Sequence, residues 1–401
     1  MKIFNDPVYG FISFPKKSIL LDIVDHPYFQ RLRRISQTAL TNYVYPGAHH
    51  TRFHHALGAY HLMTQAVEVL KQKKVEITDE EAEGVYLAIL LHDIGHGPFS
   101  HALEHTIIDF HHEELSLFFM QELNAQFDGK LSLAISIFQD TYKKKFLYQL
   151  VSGQLDMDRL DYLNRDSYFT GVSEGVVGYD RIIKMLNVVD GELVVEEKGI
   201  YSIEKFLIAR RLMYWQVYLH KTVLVAEQML IKVFTRAKEL NQKNLEIPCT
   251  PALKYFFDRL KSPKIKKNVK ELVECFAKLD DIDIIASLKL WTNHTDFVLS
   301  YLSKSILDRK LLKIKLQNVP FGDEEIEKVK KDILNKVNET NLDFEYLIFS
   351  GAESNRTYNT TKDAIKILSK SGEVKSITEM MDYELHNKNI YKYYLCYPKY
   401  L

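Results

Sequence analysis

Cysteine is scarce in this chain of 401 residues: Cys249, Cys275 and Cys396 are widely spaced and form no CxxC pair, which argues against a disulfide framework or a thiolate metal site. Charge of one sign is not in excess either. The 53 lysines and arginines balance the 53 aspartates and glutamates, so no bulk field draws in nucleic acid or an anionic membrane, and any anion site must be local. Long apolar runs are also missing. The longest, Val85 to Leu91, falls far short of the ~20 residues that cross a bilayer. The first residues, from Met1 to Pro7, hold no apolar stretch or small-residue cleavage pattern, so secretion is not expected and a reducing cytoplasm is the expected location. With 16 glycines, 10 prolines, 46% hydrophobic and 26% charged residues, the composition excludes a disordered or fibrous chain.

What is present in quantity is histidine in one place. Twelve of the 15 histidines lie between residues 26 and 112, a clustering that suggests metal or acid/base chemistry. At about 150 residues per domain the length suggests two or three units. Pro7 to Phe14 reads as two short β-prone runs around Gly10, a hairpin that opens the chain. From Leu20 to about Leu240 apolar residues recur at helical spacings, as in Leu57, Tyr60, Leu62, Val67 and Leu70. A second hairpin is expected from Leu193–Val195 followed by Ile200–Tyr201, and one long helix from Arg210 to Phe234. Beyond residue 305 the pattern changes: Leu311 to Leu316 alternates, Glu324 to Asn338 reads as a charged helix, and Phe344 to Phe349 and Tyr391 to Tyr397 read as strands. Lys261 to Lys270 is expected to be a solvated face. The reading is mainly α: a helical core with short β-hairpins over residues 1–304 and a small α+β lobe over 305–401.

The apolar segment Leu87 to Leu91 runs straight into His92-Asp93, and Gly95, Gly97 and Pro98 then end the helix. A carboxylate thus sits at the end of an apolar rod. Left unpaired and buried it would cost several kcal/mol, so Asp93 needs a cation, and the adjacent histidine points to a metal. Farther on, Asp158, Asp161, Tyr162 and Arg165 share one helical face at i, i+3, i+4 and i+7. Taken alone, His55 could be a packed core histidine and Asp158 a surface ion-pair partner. Together they allow one carboxylate to meet histidines on two other helices.

His55, His92-Asp93 and Asp158 form the H…HD…D pattern of the HD phosphohydrolase superfamily, which this chain resembles. The segments Tyr45 to Phe53, His92 to His101 (HDIGHGPFSH), Asp156 to Tyr162, Gln30 to Arg33 and Tyr218 to Lys221 resemble the branch of deoxynucleoside triphosphate triphosphohydrolases. The resemblance implies a divalent transition metal on His55, His92, Asp93 and Asp158, typically iron or manganese, with zinc, nickel and cobalt also admitted by mixed nitrogen and oxygen ligands. Magnesium is allowed alongside the nucleotide. It also implies that His96, His101 and His112 face the phosphates, that Gln37 and Asp166 hold the sugar 3′-hydroxyl, that Arg52, Arg159 and Arg210 clamp phosphate, and that Tyr162 and Tyr218 pack on the deoxyribose. Glu104, three residues after His101, either orients that imidazole or makes an ordinary ion pair. His49, His50, His54, His61, His105 and His111 match no ligand of the family. Two positions depart from the pattern: His54 stands where the family has a glutamate, and Leu219 where it has a glutamine near the base.

The function implied is metal-dependent hydrolysis of a deoxynucleoside triphosphate to deoxynucleoside and inorganic triphosphate, with His101 protonating the departing 5′-oxygen and His96 and His112 stabilising charge. A nucleotidase or phosphodiesterase acting on another nucleotide is the alternative within enzymes. A nucleotide- or nucleic-acid-binding module with a structural metal is the alternative outside them. A nucleotide is the expected small-molecule partner, a homo-oligomer the expected assembly, and no membrane or extensive nucleic-acid contact is expected.

Overall fold

A hairpin opens the chain, β1 (Lys2–Asp6) paired antiparallel with β2 (Gly10–Phe14). The sequence places both strands within residues 7–14, but residues 7–9 form the turn. Asp6 Oδ1 accepts from the amides of Val8 and Tyr9, both at 3.0 Å, and this local carboxylate bond turns the chain one step before the glycine. This computed structural model describes residues 1–99, 102–259, 268–334, 343–355, 358, 364–381 and 390–399.

The helical core follows: α1 (Ile19–Asp25), α2 (Pro27–Gln30), α3 (Arg52–Gln72), α4 (Asp79–Leu91), α5 (His112–Gln126), α6 (Ser132–Phe138), α7 (Lys145–Val151), α8 (Met157–Thr170) and α9 (Tyr179–Met185). The start of α4 is fixed by a capping box in which Glu81 N donates to Thr78 Oγ1 at 3.1 Å and Thr78 N donates to the Glu81 carboxylate at 2.9 Å. Its last five residues, Leu87 to Leu91, are buried to within 1% of their surface, so α4 delivers the following His92-Asp93 to the interior rather than to solvent.

Helix α3 packs against both α4 and α8, and Gly58 is what lets α8 approach. A Cβ there would fall inside contact distance of Asp161 Oδ1 and Arg165 Nη2 and 2.8 Å from Asp161 Cγ. Those side chains form a buried ion network: Arg165 bonds Asp161 through Nε and Nη2, each at 3.0 Å, and Asp6 of the opening hairpin through Nη1 at 2.8 Å. The network ties hairpin, α3 and α8 together directly behind His55.

After α9 the strands β3 (Leu186–Val189) and β4 (Glu192–Glu196) form the second hairpin. Its turn lies at 190–191, on the opposite side of Leu193–Val195 from the one expected, and Ile200 begins α10 (Ile200–Met213). The single helix expected from Arg210 to Phe234 is broken. Leu219 N donates to Tyr214 O at 2.7 Å, five residues back, so Tyr214–Tyr218 is a π turn; His220 Nδ1 then accepts from Thr222 N at 3.2 Å and starts α11 (Lys221–Gln242) afresh.

Four more helices, α12 (Pro251–Arg259), α13 (Val269–Phe276), α14 (Asp281–Trp291) and α15 (Phe297–Leu307), close the helical part. Lys261 to Lys267 lie outside the described residues. The remainder holds β5 (Lys313–Gln317), α16 (Asp323–Leu334), α17 (Phe344–Leu347), β6 (Phe349–Asn355), β7 (Lys366–Leu368), β8 (Val374–Ser376), α18 (Ile377–Met380) and β9 (Ile390–Tyr397). Residues 335–338 of the expected charged helix fall outside the described residues, and Phe344–Leu347 is a helical turn with the strand beginning only at Phe349. The strands form two small sheets, β5-β9-β6 and β3-β4-β7-β8, the second uniting the mid-chain hairpin with the C-terminal strands through a parallel β4–β7 pair. The fold is mainly helical, as the sequence implies. Among the described residues no helix is long and apolar enough to cross a membrane.

Candidate metal centre and the cavity above it

Three helices bring four donor side chains to one point. His55 comes from the first turn of α3, His92 and Asp93 follow the C-terminal end of α4, and Asp158 lies in the first turn of α8. The α8 start is set by Asp156, which accepts from Arg159 N at 2.7 Å and from Gly153 N at 2.8 Å, fixing the direction in which Asp158 points. His55 Nε2 stands 3.4 Å from His92 Nε2, 3.1 Å from Asp158 Oδ1 and 3.7 Å from Asp93 Oδ2. His92 Nε2 stands 3.4 Å from Asp93 Oδ1 and 3.4 Å from Asp158 Oδ1.

These separations suit a metal. Ligand atoms held about 2.1 Å from one ion stand roughly 3.0–3.4 Å apart. The outer nitrogens agree: His55 Nδ1 is 2.7 Å from Asp161 Oδ2 and His92 Nδ1 is 2.7 Å from Ile89 O, so both Nδ1 atoms carry the proton and both Nε2 lone pairs face each other. Two lone pairs 3.4 Å apart need a cation between them. The electrostatics also favour a cation here: Asp158 is held far below the usual carboxylate range, its own burial outweighed by His55 and His92. Asp161 was placed on the right face by the i, i+3 spacing; its bond to His55 was not foreseen.

The turn after Asp93 is pinned from behind. Arg31, fully buried, donates to Leu279 O at 2.9 Å, His96 O at 2.9 Å and Ile94 O at 3.3 Å. Ser116 Oγ donates to His92 O at 2.7 Å and accepts from Gly95 N at 2.9 Å. A Cβ on Gly95 would fall inside contact distance of Ser116 N and His112 O, which explains the glycine between the two histidines. His96 Nε2 lies 3.3 Å from Asp93 Oδ1, and its ring stacks on His112 with centroids 3.9 Å apart. Burial, followed by the charge of Arg52, pushes His96 well below the ordinary histidine range, so it is neutral at pH 7. Glu104, expected beside His101, accepts from both Nδ1 and the backbone N of His112, at 2.8 and 2.9 Å. His101 lies outside the described residues.

Above the four donors opens a cavity of about 510 Å³. Asp93, Asp158, Arg52, Arg159, His96 and His112 line its floor, and Gln37, Tyr162, Asp166 and Tyr218 its wall. Arg52 bonds Asp93 through Nη1 and Arg159 bonds Asp156 through Nη1, while Arg159 Nε is buried with no partner among the described residues. Gln37 Oε1 is likewise unpartnered. Asp166 has both oxygens engaged, Oδ1 2.6 Å from His50 Nε2 and Oδ2 accepting from Tyr218 Oη at 2.6 Å. His50, which matched no family ligand, is thus the buried partner that orients Asp166. Arg210 does not line the cavity; its guanidinium sits 5.9 Å from the Tyr214 ring. The sequence reading missed Tyr214, Glu227, Gln228 and Glu353, all of which line the cavity.

Comparisons with known proteins identify the family. The HD domain profile matches residues 52–162, and the HD associated region profile matches residues 177–247. An uncharacterized Bacillus subtilis protein, YwfO, is 30% identical over 391 residues, covering 94% of this chain and 87% of its own length. The crystal structure of a phosphohydrolase from Bacteroides thetaiotaomicron superposes with a TM-score of 0.92 at 49% identity, covering 99% of this chain and 100% of that one. The human deoxynucleoside triphosphate triphosphohydrolase SAMHD1 is 31% identical over 284 residues, 60% of this chain and 45% of its own. The Dictyostelium discoideum homologue of that enzyme is 33% identical over 258 residues, 59% and 50%. The chain therefore spans about half the length of these two triphosphohydrolase relatives.

Proposed function

The chain belongs to the HD-domain phosphohydrolase family, and from that premise we propose that it hydrolyses deoxynucleoside triphosphates to deoxynucleoside and inorganic triphosphate. The observation that carries this reading is that one cavity is lined by Asp93 and Asp158 of the four convergent donors together with Arg52, Arg159, Tyr162, Asp166 and Tyr218. His55, His92, Asp93 and Asp158 would hold a divalent transition ion, which when bound would supply Lewis acidity toward phosphoryl oxygen and lower the pKa of water at neutral pH.

The chain's own residues do the rest. Arg52 and Arg159 offer guanidinium donors to the phosphate tail, where fork geometry matches phosphate oxygens. His96 and His112, stacked on one another and lining the cavity beside Asp93, place two imidazoles against the side where charge develops on the phosphoryl oxygens. Glu104 holds the Nδ1 proton of His112, leaving its Nε2 directed away from that bond. Proton delivery to the departing 5′-oxygen is assigned to His101 by its place in the HDIGHGPFSH motif. Gln37, with its unpartnered Oε1, accepts from the sugar 3′-hydroxyl. The Tyr218 hydroxyl, drawn onto Asp166, occupies space a 2′-hydroxyl would need, so deoxynucleotides should outrun ribonucleotides by about tenfold or more, at about 1.4 kcal/mol per factor of ten.

The test is incubation of manganese- or iron-loaded protein with deoxy- and ribonucleoside mono-, di- and triphosphates, with products separated by ion-exchange chromatography. Deoxynucleoside with intact triphosphate supports the assignment. Stepwise release of single phosphate ions, or turnover of a mononucleotide alone, replaces it with a nucleotidase.

A further inference from the structure

Six histidines of the clustered stretch match no ligand of the family, and two of these meet a carboxylate outside the cavity. Glu104, His105 and His111 belong to the connection between α4 and α5, and one nitrogen or carboxylate oxygen from each lies within 4.8 Å of the other two. His111 Nδ1 stands 3.7 Å from Glu104 Oε1, and the His105 and His111 rings meet edge to face with centroids 4.5 Å apart. Among the described residues the same grouping of histidine and carboxylate donors recurs in one other place, at His55, His92 and Asp93. His105 also holds a costly backbone conformation, with φ at +60°, a left-handed state that costs a residue with a Cβ about 1–2 kcal/mol. Asp109 Oδ1 lies 3.4 Å from His105 Nδ1, so a second carboxylate flanks that imidazole as outer partners do when they orient a metal-bound histidine.

Two imidazoles and a carboxylate select zinc, nickel or copper over magnesium or calcium, which take oxygen ligands. Three protein donors leave a fourth position to water. Donor atoms around one such ion stand roughly 3.0–3.4 Å apart, so the present spacing closes by small side-chain rotations. The residues that must turn, His105 and His111, are exposed, while Glu104 is half-buried, and exposed side chains change rotamer within nanoseconds. Glu104 also ties the group to the cavity. Its Oε1 accepts from Nδ1 and the backbone N of His112, at 2.8 and 2.9 Å, and His112 lines the cavity while Glu104, His105 and His111 do not. An ion on this group therefore faces solvent, one side chain behind the metal donors, and draws on the carboxylate that holds His112.

We propose that Glu104, His105 and His111 form a second, surface site for a divalent ion of the zinc class, and that its occupancy lowers turnover by competing with His112 for Glu104. The effect on turnover, though not the site itself, rests on the hydrolysis proposed above. With the ion bound, the negative charge of Glu104 is shared with the metal, and the bond that fixes the Nδ1 proton of His112 weakens. The imidazole that faces the cavity then loses the partner that orients it.

The experiment dialyses the full-length, manganese-loaded protein against zinc chloride and counts total bound metal per chain by elemental analysis. The native chain should hold two ions and His92→Ala one. His105→Ala should hold one, as should His111→Asn, which keeps a residue that starts helices well. A single ion in the native chain, or a second ion that survives both His105→Ala and His111→Asn, overturns the site. Nucleotide hydrolysis is then measured with and without excess zinc. Turnover of the native protein should fall by at least about tenfold, within what a disturbed proton-transfer group can cost, while both variants keep their activity. Equal inhibition of native and variant proteins places the effect in the cavity and overturns the link through Glu104. If no nucleotide is hydrolysed at all, the triphosphohydrolase reading fails, and the ion count alone decides the site.

Discussion

Replacing Gly58 by alanine should weaken both the fold and the metal centre. The new Cβ would occupy the place of Asp161 Oδ1 and Arg165 Nη2, so the Asp6–Arg165–Asp161 network must open for α3 and α8 to stay packed. Disrupting a buried ion pair costs about 3–5 kcal/mol, and the better helix propensity of alanine returns about 1 kcal/mol, leaving a net loss of about 2–4 kcal/mol. His55 then loses the carboxylate that fixes its Nδ1 proton, a loss that typically weakens metal binding about 10–100-fold. Urea unfolding of the metal-free protein reads the first quantity, and competition with a chelator reads the second. An alanine variant as stable as the parent, or more so, with unchanged metal affinity, would refute the role given to this network.

Three further outcomes are expected. His92→Ala and Asp93→Ala should each abolish hydrolysis and release the metal, measured by elemental analysis, because each removes a donor and leaves the others under-coordinated. His101→Ala should keep metal and nucleotide binding but lose about 10²–10⁴ in turnover, the usual range for a lost general acid; an unchanged turnover number removes it from the mechanism. Glu81 is held below the ordinary glutamate range: burial opposes this, but bonds from Lys144, Tyr142 and Thr78 outweigh it. Since its folded value is depressed, its contribution is complete above about pH 4.3, the unfolded value, and fades as pH falls through the folded value. Glu81→Gln should therefore cost about 1–3 kcal/mol at pH 7 by urea titration, with the gap from the parent closing in acid; a gap that persists at low pH counts against this origin.

The convergence of His55, His92, Asp93 and Asp158, and most of the cavity lining, follows the set that the HD resemblance implies; from the residues alone only Asp93 at the end of an apolar helix stands out, while His55 and Asp158 read equally as a packed histidine and a surface ion-pair partner. Gly95 was legible as a helix breaker but not as the gap that admits Ser116. The boundaries went astray where a side chain captured the backbone: Asp6 turned the first hairpin early, and the π turn at Tyr214–Tyr218 divided a segment whose residues all favour helix. Glu353 could not be found from sequence. It reaches the cavity only because β6 pairs with β9, a contact between distant residues that leaves no local periodicity. Asp161 was visible on its helix face, but its work, holding His55, depends on Gly58 across the helix interface.

The most direct test of the central claim is hydrolysis of a deoxynucleoside triphosphate in water enriched in heavy oxygen, followed by mass spectrometry of both products. Water attack at the α-phosphorus puts the label on inorganic triphosphate and leaves the nucleoside unlabelled, which is the result expected here. Label in the nucleoside, or label appearing in released single phosphate with a diphosphate remaining on the nucleoside, would contradict it.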